Sequence, residues 1–249
     1  MTRKPNFFAL RVLTVLSFAL LAVSCNQSNL TNKDLKDIAV IKAEIEIHQD
    51  LEKQGDNNTR VELYDSDNHE IRNDTVKVFI NGTKLDYTIK DGLYYTKDYY
   101  YSNQNITPIN NKYRLEIELP NGKKFFLAEV NALKSVKAKD VLCAENGNLD
   151  KDFALNWKNM GDVNQLIIEK SILTINPKET NITTYNSNLD TLRIGNSGSL
   201  VIPKAAKNEQ VSILNFIANQ TGTVHPRLLK DSKITITGEL EIRLENEVN

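Results

Sequence analysis

Cysteine is nearly absent from this chain: its 249 residues hold two, Cys25 and Cys143. At most one intramolecular disulfide is available, which excludes a disulfide-stapled scaffold and leaves stability to packing. Histidine is as sparse. His48, His69 and His225 stand far apart, without the close His-His spacing of a helical zinc site and without cysteine partners, so no metal motif is present. A basic excess is also missing, since 31 Lys and Arg face 32 Asp and Glu for a net charge of −1. Nucleic-acid binding needs a concentrated basic surface that releases counterions, and this composition excludes it. No nucleophile elbow occurs: Gly195-Asn196-Ser197-Gly198-Ser199 carries its second glycine one position too early. Long amphipathic helices and internal repeats are lacking as well. No catalytic residue, metal or cofactor is therefore assigned.

The only long apolar run lies at the start. Basic Arg3, Lys4 and Arg11 precede Val12 to Val23, and small Ser24 leads into Cys25. This is the layout of a signal peptide, and the run is shorter than the about 20 residues that a membrane span needs. The string Ala22-Val23-Ser24-Cys25 resembles the lipobox of bacterial lipoproteins, with Ala22 in the place of the usual leucine. The resemblance implies cleavage before Cys25, a lipid on its thiol and attachment to a membrane. It also leaves Cys143 without a disulfide partner. Asn26 follows the cysteine where an Asp would signal inner-membrane retention, which leans the expectation toward the outer membrane, its face unresolved. Loss of residues 1–24 removes three basic residues and no acid, so the remainder is more acidic than the whole.

Residues 26 to 37 are polar and read as a tether. Beyond them, period-two alternation dominates, the mark of strands with one buried face. Ala39-Ile41-Ala43-Ile45-Ile47 forms one apolar set, continued by Val61-Leu63, and Asp65 to Glu70 reads as a turn. Val76-Val78-Ile80, Asn81-Gly82 and Leu85-Tyr87-Ile89 make a hairpin, because Asn-Gly accepts the positive φ of a tight turn. Tyr113 to Leu119 and Phe125 to Val130 make another around Pro120-Asn121-Gly122. A charged stretch at Ser135 to Asp140 divides this run from a second one. In the latter, Phe153-Leu155-Trp157 followed by Val163 to Lys170 resembles two strands of a fibronectin type III sandwich with its core tryptophan. The closing segment, Ile234 to Leu244, is long and one-sided. The expectation is an all-β protein of two antiparallel sandwiches, immunoglobulin-like or transthyretin-like, at 38–136 and 137–249.

The most distinctive local feature is the tyrosine cluster Tyr94, Tyr95, Tyr99, Tyr100 and Tyr101, with Tyr87 nearby. Neighbours on a strand point to opposite faces, so some of these rings are expected at the surface, where they can stack on a sugar or a partner protein. Asp65-Ser66-Asp67-Asn68-His69-Glu70 offers oxygen ligands to a cation but lacks the glycine and distant glutamate of an EF-hand, and reads as a polar turn. Cys143 lies in an apolar stretch as a buried hydrophobe. Asp74-Thr75-Val76 and Asp190-Thr191-Leu192 resemble a bacterial O-glycosylation sequon, which implies glycans on Thr75 and Thr191. Two functions remain open at this point: a non-enzymatic, lipid-anchored envelope protein that binds a glycan or a partner protein, or a carbohydrate- or peptide-active hydrolase or lyase that uses paired carboxylates.

Overall fold

The computed structural model describes residues 28–93, 97–175, 183–205 and 209–244. Among them there is no α-helix, and no helix long and apolar enough to cross a membrane. The first run of strands comprises β1 (Lys42–Asp50), β2 (Asn57–Tyr64), β3 (Lys77–Ile80), β4 (Thr83–Lys84), β5 (Asp86–Asp91), β6 (Lys97–Gln104), β7 (Lys112–Glu118) and β8 (Lys124–Asn131). The second comprises β9 (Val141–Leu142), β10 (Phe153–Trp157), β11 (Val163–Ile175), β12 (Thr183–Arg193), β13 (Gly198–Ile202), β14 (Glu209–Thr221), β15 (Thr223–Val224) and β16 (Lys233–Arg243).

These strands form three sheets. One has eight strands in the order β12-β11-β14-β16-β1-β2-β6-β5; the others run β15-β8-β7-β3-β4 and β13-β10-β9. All recorded pairings are antiparallel except one: β1 runs parallel to β16, with Ile45 opposite Ile234 and Ile47 opposite Ile236. That pairing joins the two sequence runs in one sheet. β15 crosses the same line by pairing with β8. The charged stretch near 136 is thus no boundary in the hydrogen bonding, and a single apolar cluster takes in Ile45, Leu115, Leu155, Phe216 and Ile236. Alternation reveals which face of a strand is buried but not which strand lies beside it, so the shared sheet was invisible in the pattern.

The core follows from that alternation. β1, β2 and β16 bury every second residue, and β16 is as long and one-sided as expected. Full burial of such an aliphatic or aromatic side chain contributes about 1.5–3 kcal/mol. Trp157 lies 8% exposed, 6.4 Å from Phe216 in an edge-on arrangement, and its Nε1 donates to the Gly195 carbonyl at 3.1 Å. A Cβ on Gly198 would stand 2.4 Å from the indole, so only glycine fits there.

Two local expectations change. Asn81 and Gly82 do turn with φ of 48° and 82°, but the return strand splits at Leu85. Thr83 and Lys84 pair with β3, whereas β5 leaves for the eight-stranded sheet and pairs with β6. The expected tether is docked from Ser28 onward: the Ser28 N–H donates to the Glu70 carbonyl at 2.8 Å, and Leu35 is fully buried. Its polar composition hid one well-placed leucine.

Candidate functional site

The eight-stranded sheet has an apolar inner face; its outer face is polar over β16, β1, β2 and β6, whereas β11, β12 and β14 carry Ile167, Leu189, Ile213 and Ile217 on that side. The register aligns Gln104 on β6 with Asn58 on β2, Asn58 with His48 on β1, His48 with Thr237 on β16, and Thr237 with Asn219 on β14. Five strands thus present one row of amide, imidazole and hydroxyl groups. Near the end of β1 this row borders a groove of ≈ 350 Å³, lined by His48, Asp50, Asp56, Asn58, Gln104, Thr237 and Glu239 with the buried Gln49, Asn57 and Gly238. Among the described residues, no lysine, arginine or apolar side chain lines it. Among the described residues, the side chains of His48, Asn58, Gln104 and Thr237 make no hydrogen bond. Their capacity is open to a ligand.

Some groove groups are already committed. One carboxylate oxygen of Asp50 accepts from the backbone N–H groups of Glu52 and Lys53 at 2.7 and 2.9 Å, which shapes the β1–β2 turn. Glu239 accepts from Asn215 at 3.4 Å. Behind the groove, Asn57 and Gln49 point inward. The Asn57 amide donates to the Ile106 carbonyl at 2.7 Å and accepts from the Ile106 N–H at 3.0 Å. Gln49 does the same with Leu133, at 3.0 and 3.2 Å, and the Tyr113 hydroxyl stands 3.2 Å from the Asn57 nitrogen. This knot fixes the groove floor to the opposing sheet.

The tyrosines divide as the pleat requires. Tyr100 is half-buried, with the Arg60 guanidinium 3.9 Å from its ring centre; Arg60 is in turn paired with Glu62 on the same strand. Tyr99 is half-buried on the opposite side under Arg72, at 4.3 Å. Tyr101 is 2% exposed and packs 5.2 Å from Tyr87, while its hydroxyl donates to the Asn73 carbonyl at 2.7 Å; burial raises its pKa far above the phenol range. Tyr101 is therefore a core residue and offers nothing to a ligand. Tyr94 and Tyr95 lie outside the described residues, as does Cys25.

The remaining candidates separate as follows. Thr75 and Thr191 are both exposed, and the Thr75 hydroxyl is bonded to Asn73 at 2.7 Å. Asp65, Asp67 and His69 bring ligand atoms within 4.8 Å of one another, but Asp65 serves its own turn by accepting from the N–H groups of Asp67 and His69, each at 2.9 Å. Cys143 is half-buried, and burial raises its thiol pKa, which opposes a thiolate. A second hollow of ≈ 360 Å³ at the Asn81–Gly82 turn is lined by Lys112, Arg114, Glu116 and Glu129. Those charges pair with one another, Lys112 with Glu129 at 2.6 Å and Arg114 with Glu116 at 3.6 Å.

Sequence reasoning missed the polar row. Its members sit at the polar positions of ordinary alternating strands, and only the pairing register places them side by side.

No family model matches the chain, and no curated protein matches it. Among solved structures it is similar to one described as the Bacteroides ovatus mixed-linkage glucan utilization locus SGBP-B in complex with a mixed-linkage heptasaccharide, at 12% identity. The alignment covers 80% of this chain and 60% of that one, with a TM-score of 0.19. A likeness of that size carries no argument about a ligand.

Proposed function

We propose that this protein is a non-enzymatic binding protein of the cell envelope, anchored by lipid on Cys25, that holds a glycan on the outer face of its eight-stranded sheet. The observation that carries the reading is the unbroken row Gln104, Asn58, His48, Thr237 and Asn219 beside a groove without apolar side chains. Cofactor and drug-like sites are mostly apolar with a few polar groups, whereas this one is polar throughout. A sugar presents vicinal hydroxyls, each both donor and acceptor, and side-chain amides and carboxylates match that pattern in pairs.

The hydrolase reading has carboxylates in the groove, Asp50, Asp56 and Glu239. A glycosidase needs two carboxyl groups free to act on the bond between them. Asp50 and Glu239 are already engaged within the fold, by the Glu52 and Lys53 N–H groups and by the Asn215 amide.

The test is a glycan array probed with the purified protein, followed by calorimetry on any hit. Asn58→Ala and Gln104→Ala should each weaken binding about tenfold, the effect of losing roughly 1.4 kcal/mol of hydrogen bonding. Turnover of a bound glycan, abolished by Glu239→Gln, would overturn the proposal in favour of the enzyme.

A further inference from the structure

The anchor leaves almost no slack. Cys25 and Ser28 are three residues apart, and an extended chain advances at most about 3.6 Å per residue, so the lipidated cysteine lies within about 11 Å of Ser28. Ser28 is fixed to the body. It is 8% exposed, its N–H donates to the Glu70 carbonyl, and its hydroxyl accepts from the Leu30 N–H at 3.1 Å. The segment that follows is held at several further points: Asn32 bonds Thr75, Leu35 is buried and Asp37 pairs with Arg227.

These attachments mark one end of the sheet. Glu70 bridges Tyr64 at the end of β2, and Lys42 at the start of β1 bonds Asn68 at 2.9 Å. The polar groove lies at the other end of β1, near His48 and Asp50. A strand rises roughly 3.3 Å per residue, which places the groove about 20–26 Å away along β1.

We infer that the end of the body carrying Ser28, Lys36 and Lys42 is a lipid-facing surface, and that the short anchor points the groove away from the membrane. The inference rests on the proposed lipidation of Cys25. It gives the docked segment a role that a free polar tether lacks: fixing orientation rather than providing reach.

The full-length protein, made in a lipid-modifying bacterium, would be reconstituted into phosphatidylethanolamine–phosphatidylglycerol vesicles that carry a headgroup energy acceptor. In a Cys143→Ser background, a donor dye would be attached at Lys36→Cys or at Asp56→Cys. Transfer from position 36 should exceed transfer from position 56 severalfold. Equal transfer, or the reverse order, overturns the inference. A Gly/Ser insertion of about 20 residues between Gln27 and Ser28, with a reach of roughly 25 Å, should level the two signals. A difference that survives the insertion overturns the short anchor as its cause. The mass of the N-terminal peptide separates the two layers: an unmodified Cys25 removes anchor and orientation together, whereas an acylated Cys25 with equal transfer removes only the orientation.

Discussion

His48 and Gln49 are neighbours in sequence, as are Asn57 and Asn58, yet the pleat sends one of each pair between the sheets and the other to the surface. Gln49 and Asn57 are 2% and 4% exposed and fully engaged with backbone groups; His48 and Asn58 are exposed and engaged with nothing among the described residues. The same chemistry thus does two jobs one residue apart. Inside, an amide that satisfies the N–H and C=O of a crossing chain acts like an extra rung of a sheet, because leaving those groups unpaired is costly. Outside, the same amide is solvated, contributes little to folding and is available to a ligand.

The sharpest way to break this comparison is to truncate both members of the Asn57–Asn58 pair. Asn57→Ala should lower unfolding stability by about 3 kcal/mol, since it leaves the Ile106 N–H and C=O without their partner and removes the donor to the Tyr113 hydroxyl, which keeps only Gln49 at 3.5 Å. Asn58→Ala should stay within about 0.5 kcal/mol of the parent and lose only ligand affinity. Denaturant titration of the two variants measures both. Equal losses would mean that Asn58 has a structural role, and the outer row would no longer be a candidate site.

A smaller effect separates buried amides from a buried carboxylate. Burial works to raise the pKa of Asp65, but hydrogen bonds from the N–H groups of His69 and Asp67 help to outweigh it and hold the group below its ordinary 3.8. A carboxyl depressed in the folded state stabilises above its unfolded pKa, and that contribution is lost as pH falls through the folded one. Acidification below about pH 4 should therefore loosen the Asp65–His69 turn while the Gln49–Asn57 knot, which holds no carboxylate, persists. Hydrogen exchange at the His69 amide against that at Ile106 reads the difference. Asp65→Ala should make the His69 amide exchange faster at neutral pH.

Much of this molecule was legible in its residues. Alternation located the buried faces of β1, β7 and β16, Asn81-Gly82 located a turn, and Trp157 located part of the core. What was hidden is lateral. Nothing in the alternation of β1 indicates that its neighbour is the last strand of the chain in parallel, and the split of the return strand at Leu85 depends on which sheet captures each half. The site shares that difficulty. A run of tyrosines is conspicuous in sequence, yet packing takes Tyr101 out of play; the groove residues are inconspicuous, and register alone assembles them.

The smallest expected effect tests the inner half of the comparison from the opposite side. Thr59 lies one inward position beyond Asn57 on β2 and is fully buried, but its hydroxyl has no hydrogen-bond partner among the described residues. If inward polar groups matter only when satisfied, this hydroxyl carries a desolvation cost with no return. Valine has nearly the same shape and suits a strand. Thr59→Val should then leave stability unchanged or raise it by up to about 1 kcal/mol, opposite in sign to Asn57→Ala two residues away. Thermal or denaturant unfolding of the two variants side by side decides the matter. A loss in Thr59→Val comparable to that in Asn57→Ala would mean that buried polarity itself, rather than its satisfaction, holds this interface together.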